Sequence, residues 1–224
     1  RGSRGCLLEA GGQVDDALSG GNVPVLLASD CSICLTTLGA ALRWRPDAKV
    51  LWLDAHGDYN TPATTPSAFL GGMCLAGACG EWDAGMGEPI AARDVVLAGV
   101  RALDAGEREL LERSEATVIG ASPIETLVAV QNALAGAPVY VHLDLDVLDP
   151  RAFPAQFPAP GGLQPDKLYD LLDAVAAESE LVGVEVTAFE APDDAERRDE
   201  SAALAAQVLE PLLDAIPEGA RVGH

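Results

Sequence analysis

Asp54, His56 and Asp58 stand at alternate positions in LWLDAHGDYNTP, and Asp144 and Asp146 repeat that spacing in VHLDLDVLDP, with Asp149 just beyond. Each group closes a run of apolar, β-branched-rich residues that reads as a buried strand. Ionised carboxylates are costly to bury unless a positive charge compensates them. Either the two strand ends open to water or a cation sits there. Side chains two apart on a strand share a face, so each group converges if the extended geometry persists. Without a cation, four aspartates and one histidine in a small volume would repel or take up protons. Carboxylate and imidazole donors suit Mn²⁺, Mg²⁺ or a similar hard ion. A pair of such ions also lowers the pKa of a bound water toward neutrality. The same aspartates can instead be read as helix caps or solvent-facing groups.

The elements that must position these residues alternate along the chain. Strand candidates are 23–30, 49–56, 95–100, 116–121, 138–147 and 181–189, with helix candidates near 33–45, 105–114, 124–135, 165–178 and 200–216. Ser122–Glu125 spells a helix start, with an N-cap serine, Pro at N1 and Glu at N3. Near-continuous apolar strands alternating with helices predict a parallel sheet covered on both faces. In such folds the site lies outside the carboxyl ends of the strands. The long non-periodic segments 57–94 and 148–163 follow directly after the two acidic strand ends, where loops build sites. Residues 1–224 show no repeat and no linker, which predicts one domain.

Bulk properties exclude several classes. The 224 residues carry 35 acidic and 14 basic side chains, a formal charge of −21. That argues against nucleic acid or an anionic membrane surface as partner, since phosphate binding needs clustered Lys and Arg. No apolar run approaches the roughly 20 residues that span a bilayer. Five cysteines, an odd number in a chain of this length, do not suggest a disulfide framework and point to a reduced cytoplasm.

DAHGDYNTP followed by LDLDVLDP resembles the ureohydrolase family of arginases, agmatinases and formimidoylglutamases. The resemblance runs from about residue 23 to 190. It implies a three-layer α/β/α fold, a mostly parallel central sheet and two Mn²⁺ ions. By position, Asp54 and Asp144 would bridge the ions, while His56, Asp58 and Asp146 each bind one. The arginase branch is the most similar in its recognition segments. DYNTPATTPS implies that Asn60 and Ser67 hold a substrate α-carboxylate, and VRALDAGE puts Asp104 and Glu107 at the α-amino group. GVEV places Glu185 against the guanidinium, where a carboxylate can accept two N–H donors. Asn60 and Ser67 can also be read as turn residues, and Asp104 as a helix cap. Relatives form trimers or hexamers, which allows a homo-oligomer whose interface the residues do not identify. The family also usually has an opening strand before the segment matching Val23–Asp30, so that strand is expected to be missing here.

Three positions depart from the family pattern. ASDCSIC puts Cys31 where a histidine ligand is expected. A thiolate can bind metal but is softer than Mn²⁺ prefers, and Cys31 can also be read as a small buried hydrophobe. Cys31 and Cys34 spell C-x-x-C, but no second pair at zinc spacing follows. Gly71 stands where arginases carry a histidine thought to shuttle protons to the leaving amine; only His56, His142 and His224 exist, and His142 reads as a packing residue inside a strand. Phe157 and Pro158 replace small hydroxyl-bearing residues and should alter the pocket floor.

The resemblance implies attack by metal-activated water on the guanidino carbon, with Asp58 passing a proton to the leaving amine. Arginine stays protonated at any physiological pH, and an N-hydroxylated guanidine is much less basic. Cys31 together with FLGGM and GACGEWDAG resembles the hydroxyarginine-cleaving branch, which supplies hydroxyurea for the antibiotic D-cycloserine. The expected substrate is therefore N-omega-hydroxy-L-arginine, giving hydroxyurea and ornithine. L-arginine, giving urea and ornithine, stands next. A non-catalytic metal-binding relative is the alternative from another class.

Overall fold

The computed structural model describes residues 2–122 and 125–217. Six strands form one all-parallel sheet: β1 (Val25–Leu27), β2 (Lys49–Leu53), β3 (Val95–Val100), β4 (Thr117–Gly120), β5 (Val139–Asp144) and β6 (Leu181–Thr187), in the order β1-β6-β5-β2-β3-β4. The central strands form where apolar residues run unbroken, and every residue of β3, β5 and β6 is buried. Burial on both faces explains why these runs do not alternate with polar residues.

The covering helices divide into two layers. α1 (Gly2–Ser19), α2 (Cys34–Trp44), α3 (Cys74–Ala78) and α4 (Ala105–Arg113) pack with Val50, Trp52, Leu97 and Tyr140 on one face. α5 (Glu125–Leu134), α6 (Pro165–Glu178) and α7 (Ala195–Asp214) pack with Leu51, Leu53, Val141 and Val184 on the other. The result is the expected three-layer α/β/α arrangement. No helix among the described residues is long and apolar enough to cross a membrane.

Several expectations need correction. Residues 2–19, whose sequence carries only a short glycine-rich helical pattern, form the full 18-residue α1. Its Gly11 lies so close to α2 that a Cβ there would stand 2.7 Å from the Cβ of Thr36, so packing rather than propensity holds it. α3 sits inside segment 57–94, too short to leave a periodic signal. The last helix begins at Ala195, where Asp194 accepts a hydrogen bond from the Arg197 N–H as N-cap. The helix start at Ser122–Glu125 falls partly on Pro123 and Ile124, outside the described residues.

β2 and β5 are hydrogen-bonded neighbours, yet the chain leaves β2 for β3 on the opposite side. Their carboxyl ends therefore flank the point where the strand order reverses, the usual crevice for ligands. Arg101, just after β3, braces it. Its guanidinium donates to the carbonyls of Gly99, Asp146, Val147, Leu148 and Ala159. We expect Arg101→Met to lower stability by about 1–3 kcal/mol, because it strands partly buried carbonyls. Arg101→Lys should recover only part of this, since an ammonium lacks the planar fork. Urea midpoints check this; an unchanged midpoint for Arg101→Met would show that water serves those carbonyls equally well.

Candidate metal centre

β2 ends at Leu53 and β5 at Asp144, so neither acidic group lies on continued strand. Both chains turn at once, and the turns themselves bring the carboxylates together. Asp54 Oδ1 accepts from the His56 N–H at 2.7 Å, and Asp144 Oδ1 accepts from the Asp146 N–H at 2.7 Å. Asp146 Oδ1 then accepts from the Ala55 N–H at 2.9 Å, locking one turn to the other. Convergence was expected from strand alternation; side chain-to-backbone bonds in two tight turns produce it instead.

Asp58 occupies left-handed backbone at φ 50°, a strained setting for a non-glycine residue. Its carbonyl accepts from the Leu75 and Ala76 N–H groups at the start of α3. Cys31 opens a single 3-10 turn, Cys31–Ile33, capped by Asp30, whose carboxylate accepts from the Ser32 N–H. The thiol points to Asp144 Oδ2 at 3.0 Å and Thr187 Oγ1 at 3.2 Å. His56 Nδ1 lies 2.9 Å from Asp146 Oδ2 and 3.4 Å from Asp54 Oδ1. The expected group of Cys31, Asp54, His56, Asp58, Asp144 and Asp146 thus lines one cavity of about 450 Å³.

All four aspartates are buried, and His56 is partly exposed. Burial, reinforced by neighbouring carboxylates, pushes Asp54 and Asp58 well above the usual carboxylate range. Asp144 rises to about 7 through burial and then the charge of Asp146. Burial and the charge of Asp144 push the Cys31 thiol up. For His56, burial opposes the charged form, but hydrogen bonds to Asp146 and Asp54 outweigh it and raise it to about 11. No Lys or Arg lines the cavity among the described residues. Were all four carboxylates ionised, one imidazolium would leave their charge uncompensated, and the raised carboxyls are the consequence. Two sets of donors lie close enough to share an ion, Asp54–His56–Asp146 and Cys31–Asp54–His142, with Asp54 in both. A set of buried O, N and S donors that lacks its own cations fits divalent metal.

The expected recognition residues divide. Asn60 and Asp104 line the cavity and meet, Asn60 Nδ2 donating to Asp104 Oδ2 at 3.0 Å. Ser67 lies exposed on the cavity's edge. Glu107 also borders it, but both its oxygens are engaged with backbone, Oε1 by the Tyr59 N–H and Oε2 by the Asp104 N–H. It acts from the third position of α4 to hold Asp104 at the N-cap. Asp149 does not line the cavity and pairs with Arg151, which holds its carboxyl below the usual range.

Glu185 is the clear correction. It pairs across the sheet with His142, and His142 with Trp52, whereas Asp144 pairs with Thr187. Glu185 therefore sits one tier below the site and does not line the cavity. Its carboxylate accepts from Thr37 Oγ1 at 2.6 Å and the Tyr140 hydroxyl at 3.0 Å, and faces His142 Nδ1 at 2.6 Å. The cavity-lining residue past the end of β6 is Ala188. His142 is fully buried, with its ring stacked on Trp52 at 3.5 Å, and its Nε2 has no hydrogen-bond partner.

Sequence reasoning also missed Phe69, Gln156 and Ala188 as cavity-lining residues. A Cβ on Gly71 would stand 2.4 Å from the Phe69 ring, so that ring fills the space a side chain at 71 would need. Phe69 meets Phe157 with centroids 5.2 Å apart, and Phe157 forms exposed rim rather than floor; Pro158 does not line the cavity. Only the unexplained glycine in FLGGM hinted at this.

The raised carboxyls make a pH prediction. The fold favours their protonated forms, so the stability this confers at acid pH is lost as pH rises from about 4 towards 7. We expect the Tm of chelator-treated protein to fall across that window and a saturating divalent ion to reverse the fall. Asp144→Asn should flatten the metal-free slope. Thermal scans at several pH values check this, and an identical slope in Asp144→Asn contradicts it.

A model of the Arginase family matches residues 4–214. The chain is 42% identical over 200 residues to an N(omega)-hydroxy-L-arginine amidinohydrolase of Streptomyces lavendulae, covering 89% of this chain and 72% of that one. It is 34% identical over 167 residues to an arginase of Bacillus caldovelox, covering 67% of this chain and 55% of that one. Among solved structures, an arginase from Bacillus cereus superposes with a TM-score of 0.83 at 28% identity, over 92% of this chain and 75% of that one. The chain thus spans little more than half the length of the arginase from Bacillus caldovelox.

Proposed function

We propose that this chain, which belongs to the arginase family, is a metal-dependent amidinohydrolase cleaving the guanidino C–N bond of N-omega-hydroxy-L-arginine to hydroxyurea and ornithine. The observation that carries this reading is the convergence of buried Asp54, Asp58, Asp144 and Asp146 with His56 and Cys31 beneath one cavity. Those six residues would hold two divalent ions, manganese in this reading. Bound ions would neutralise the carboxylates and lower the pKa of a water toward neutrality. Asp58 accepts a proton from the attacking water and returns it to the departing ornithine nitrogen. Asn60 and Ser67 receive the α-carboxylate, and Asp104, held by Glu107, receives the α-amino group. The two cores share one sheet, which supports a single domain. All five cysteines are free, which supports a reduced cytoplasm as its place of work.

The preference for the hydroxylated substrate draws support from one side of the cavity wall. Gly71, Phe69, Phe157 and Ala188 carry neither an imidazole nor a carboxylate, and outside the ligand cluster the lining carboxylates are Asp30, Asp104 and Glu107. A hydroxyguanidine, far less basic than arginine, asks less of such a wall.

Turnover on N-omega-hydroxy-L-arginine, L-arginine and agmatine with manganese tests this, and we expect the first to be fastest. Agmatine as the best substrate would defeat the roles of Asn60, Ser67 and Asp104, because it has no carboxylate. Asn60→Ala should raise KM for hydroxyarginine about tenfold or more, the weight of a hydrogen bond to a charged group, and leave agmatine turnover unchanged.

A further inference from the structure

Beneath the carboxylates lies a histidine with no task in the mechanism above. His142 is fully buried on β5, and its Nε2 has no partner. An unpaired polar atom in a closed interior is costly, so an arrangement that keeps one calls for a reason. Its other nitrogen is held firmly. Nδ1 faces Glu185 Oε1 at 2.6 Å, while Thr37 and the Tyr140 hydroxyl donate to Glu185 Oε2. Oε1 is thus the acceptor for an Nδ1–H, an assignment made from this network, which leaves Nε2 with its lone pair free. The Trp52 ring stacked on the imidazole fixes the ring plane, and the same indole donates through Nε1 to Asp54 Oδ2 at 3.1 Å.

A ring nitrogen of His142, Cys31 Sγ and an Asp54 oxygen lie within 4.8 Å of one another, inside the reach of one ion's donors. We infer that His142 is a metal ligand through Nε2, completing with Cys31 and Asp54 the deeper ion position, and that Glu185 orients it. Glu185 is then a positioning residue. The carboxylate–histidine–metal arrangement is common because the second hydrogen bond sets the tautomer and makes the ligating nitrogen more basic. The geometry also accounts for Cys31. An imidazole rising from the sheet below supplies the nitrogen donor that Cys31 does not, so the deeper position keeps one imidazole. The two ion positions then differ chemically: nitrogen, sulfur and oxygen below, nitrogen and oxygen at His56 and Asp146. The lower set favours an ion softer than manganese, such as zinc or cobalt.

This inference rests on the metal-dependent reading, and a cobalt(II) titration separates the two. The intact chain should take up two ions, one with a near-ultraviolet sulfur-to-cobalt charge-transfer band. His142→Asn should hold one ion and lose that band, and Glu185→Gln should weaken the sulfur-bound ion by about 10- to 100-fold, the usual effect of removing such a partner. Because a buried substitution can disturb folding, cobalt-edge X-ray absorption on the unaltered chain provides an independent count. Two imidazoles shared between two ions support the inference, and a single imidazole overturns it. Two ions bound to His142→Asn with parental affinity also overturn it and leave the enzymatic reading intact. No ion bound by the intact chain removes both.

Discussion

Four carboxylates buried at the ends of two adjacent parallel strands are the constraint around which this molecule is arranged. A fold that relied on apolar packing alone would not keep Asp54, Asp58, Asp144 and Asp146 in one small volume with a single imidazole between them. Their close contacts are backbone N–H groups, the Cys31 and Cys74 thiols, the Trp52 indole, the Thr187 hydroxyl and the His56 imidazole. Those contacts orient the oxygens but, His56 apart, supply no compensating charge. The geometry is ready for cations and poor for anything else.

The sheet presents this constraint in two tiers. The upper tier is set by Asp54 and Asp144, where β2 and β5 end, with Thr187 level with Asp144. The lower tier is Trp52, His142 and Glu185, side by side on β2, β5 and β6. Three residues that look unrelated in the sequence form one hydrogen-bonded and stacked row. That row touches the upper tier through the Trp52 indole on Asp54. Stacking and hydrogen bonds fix the row's side chains together.

Above the carboxylates the cavity becomes apolar on one side. Phe69 covers the backbone of Gly71 and meets Phe157 at the rim. These rings form an apolar rim, although both remain exposed. The same wall carries no titratable group at position 71, where Gly71 lies under the Phe69 ring. Asn60 and Asp104 sit at the opposite side, attached to the turn after β2 and the N-terminus of α4.

Strand identity, the alternation with helices and the acidic strand ends were all legible in the sequence, because burial on both faces leaves mostly apolar runs with the aspartates clustered at their ends. The convergence of Asp54, His56 and Asp58 with Asp144 and Asp146 was legible too, since each half of that group is local, two residues apart. The full length of the 18-residue α1 was not legible, because its glycines weaken the helical pattern, and of these only Gly11 is accounted for by contact with α2 at Thr36. What tertiary structure alone decided is the level at which residues from different strands meet. Register between parallel strands is set by hydrogen bonds between distant segments, here with an irregularity at Val139 and Tyr140 that offsets β6 against β5. That offset sets Glu185 level with His142 rather than with Leu143, beneath the site, and leaves Ala188 at the cavity. No spacing within a single segment carries that information.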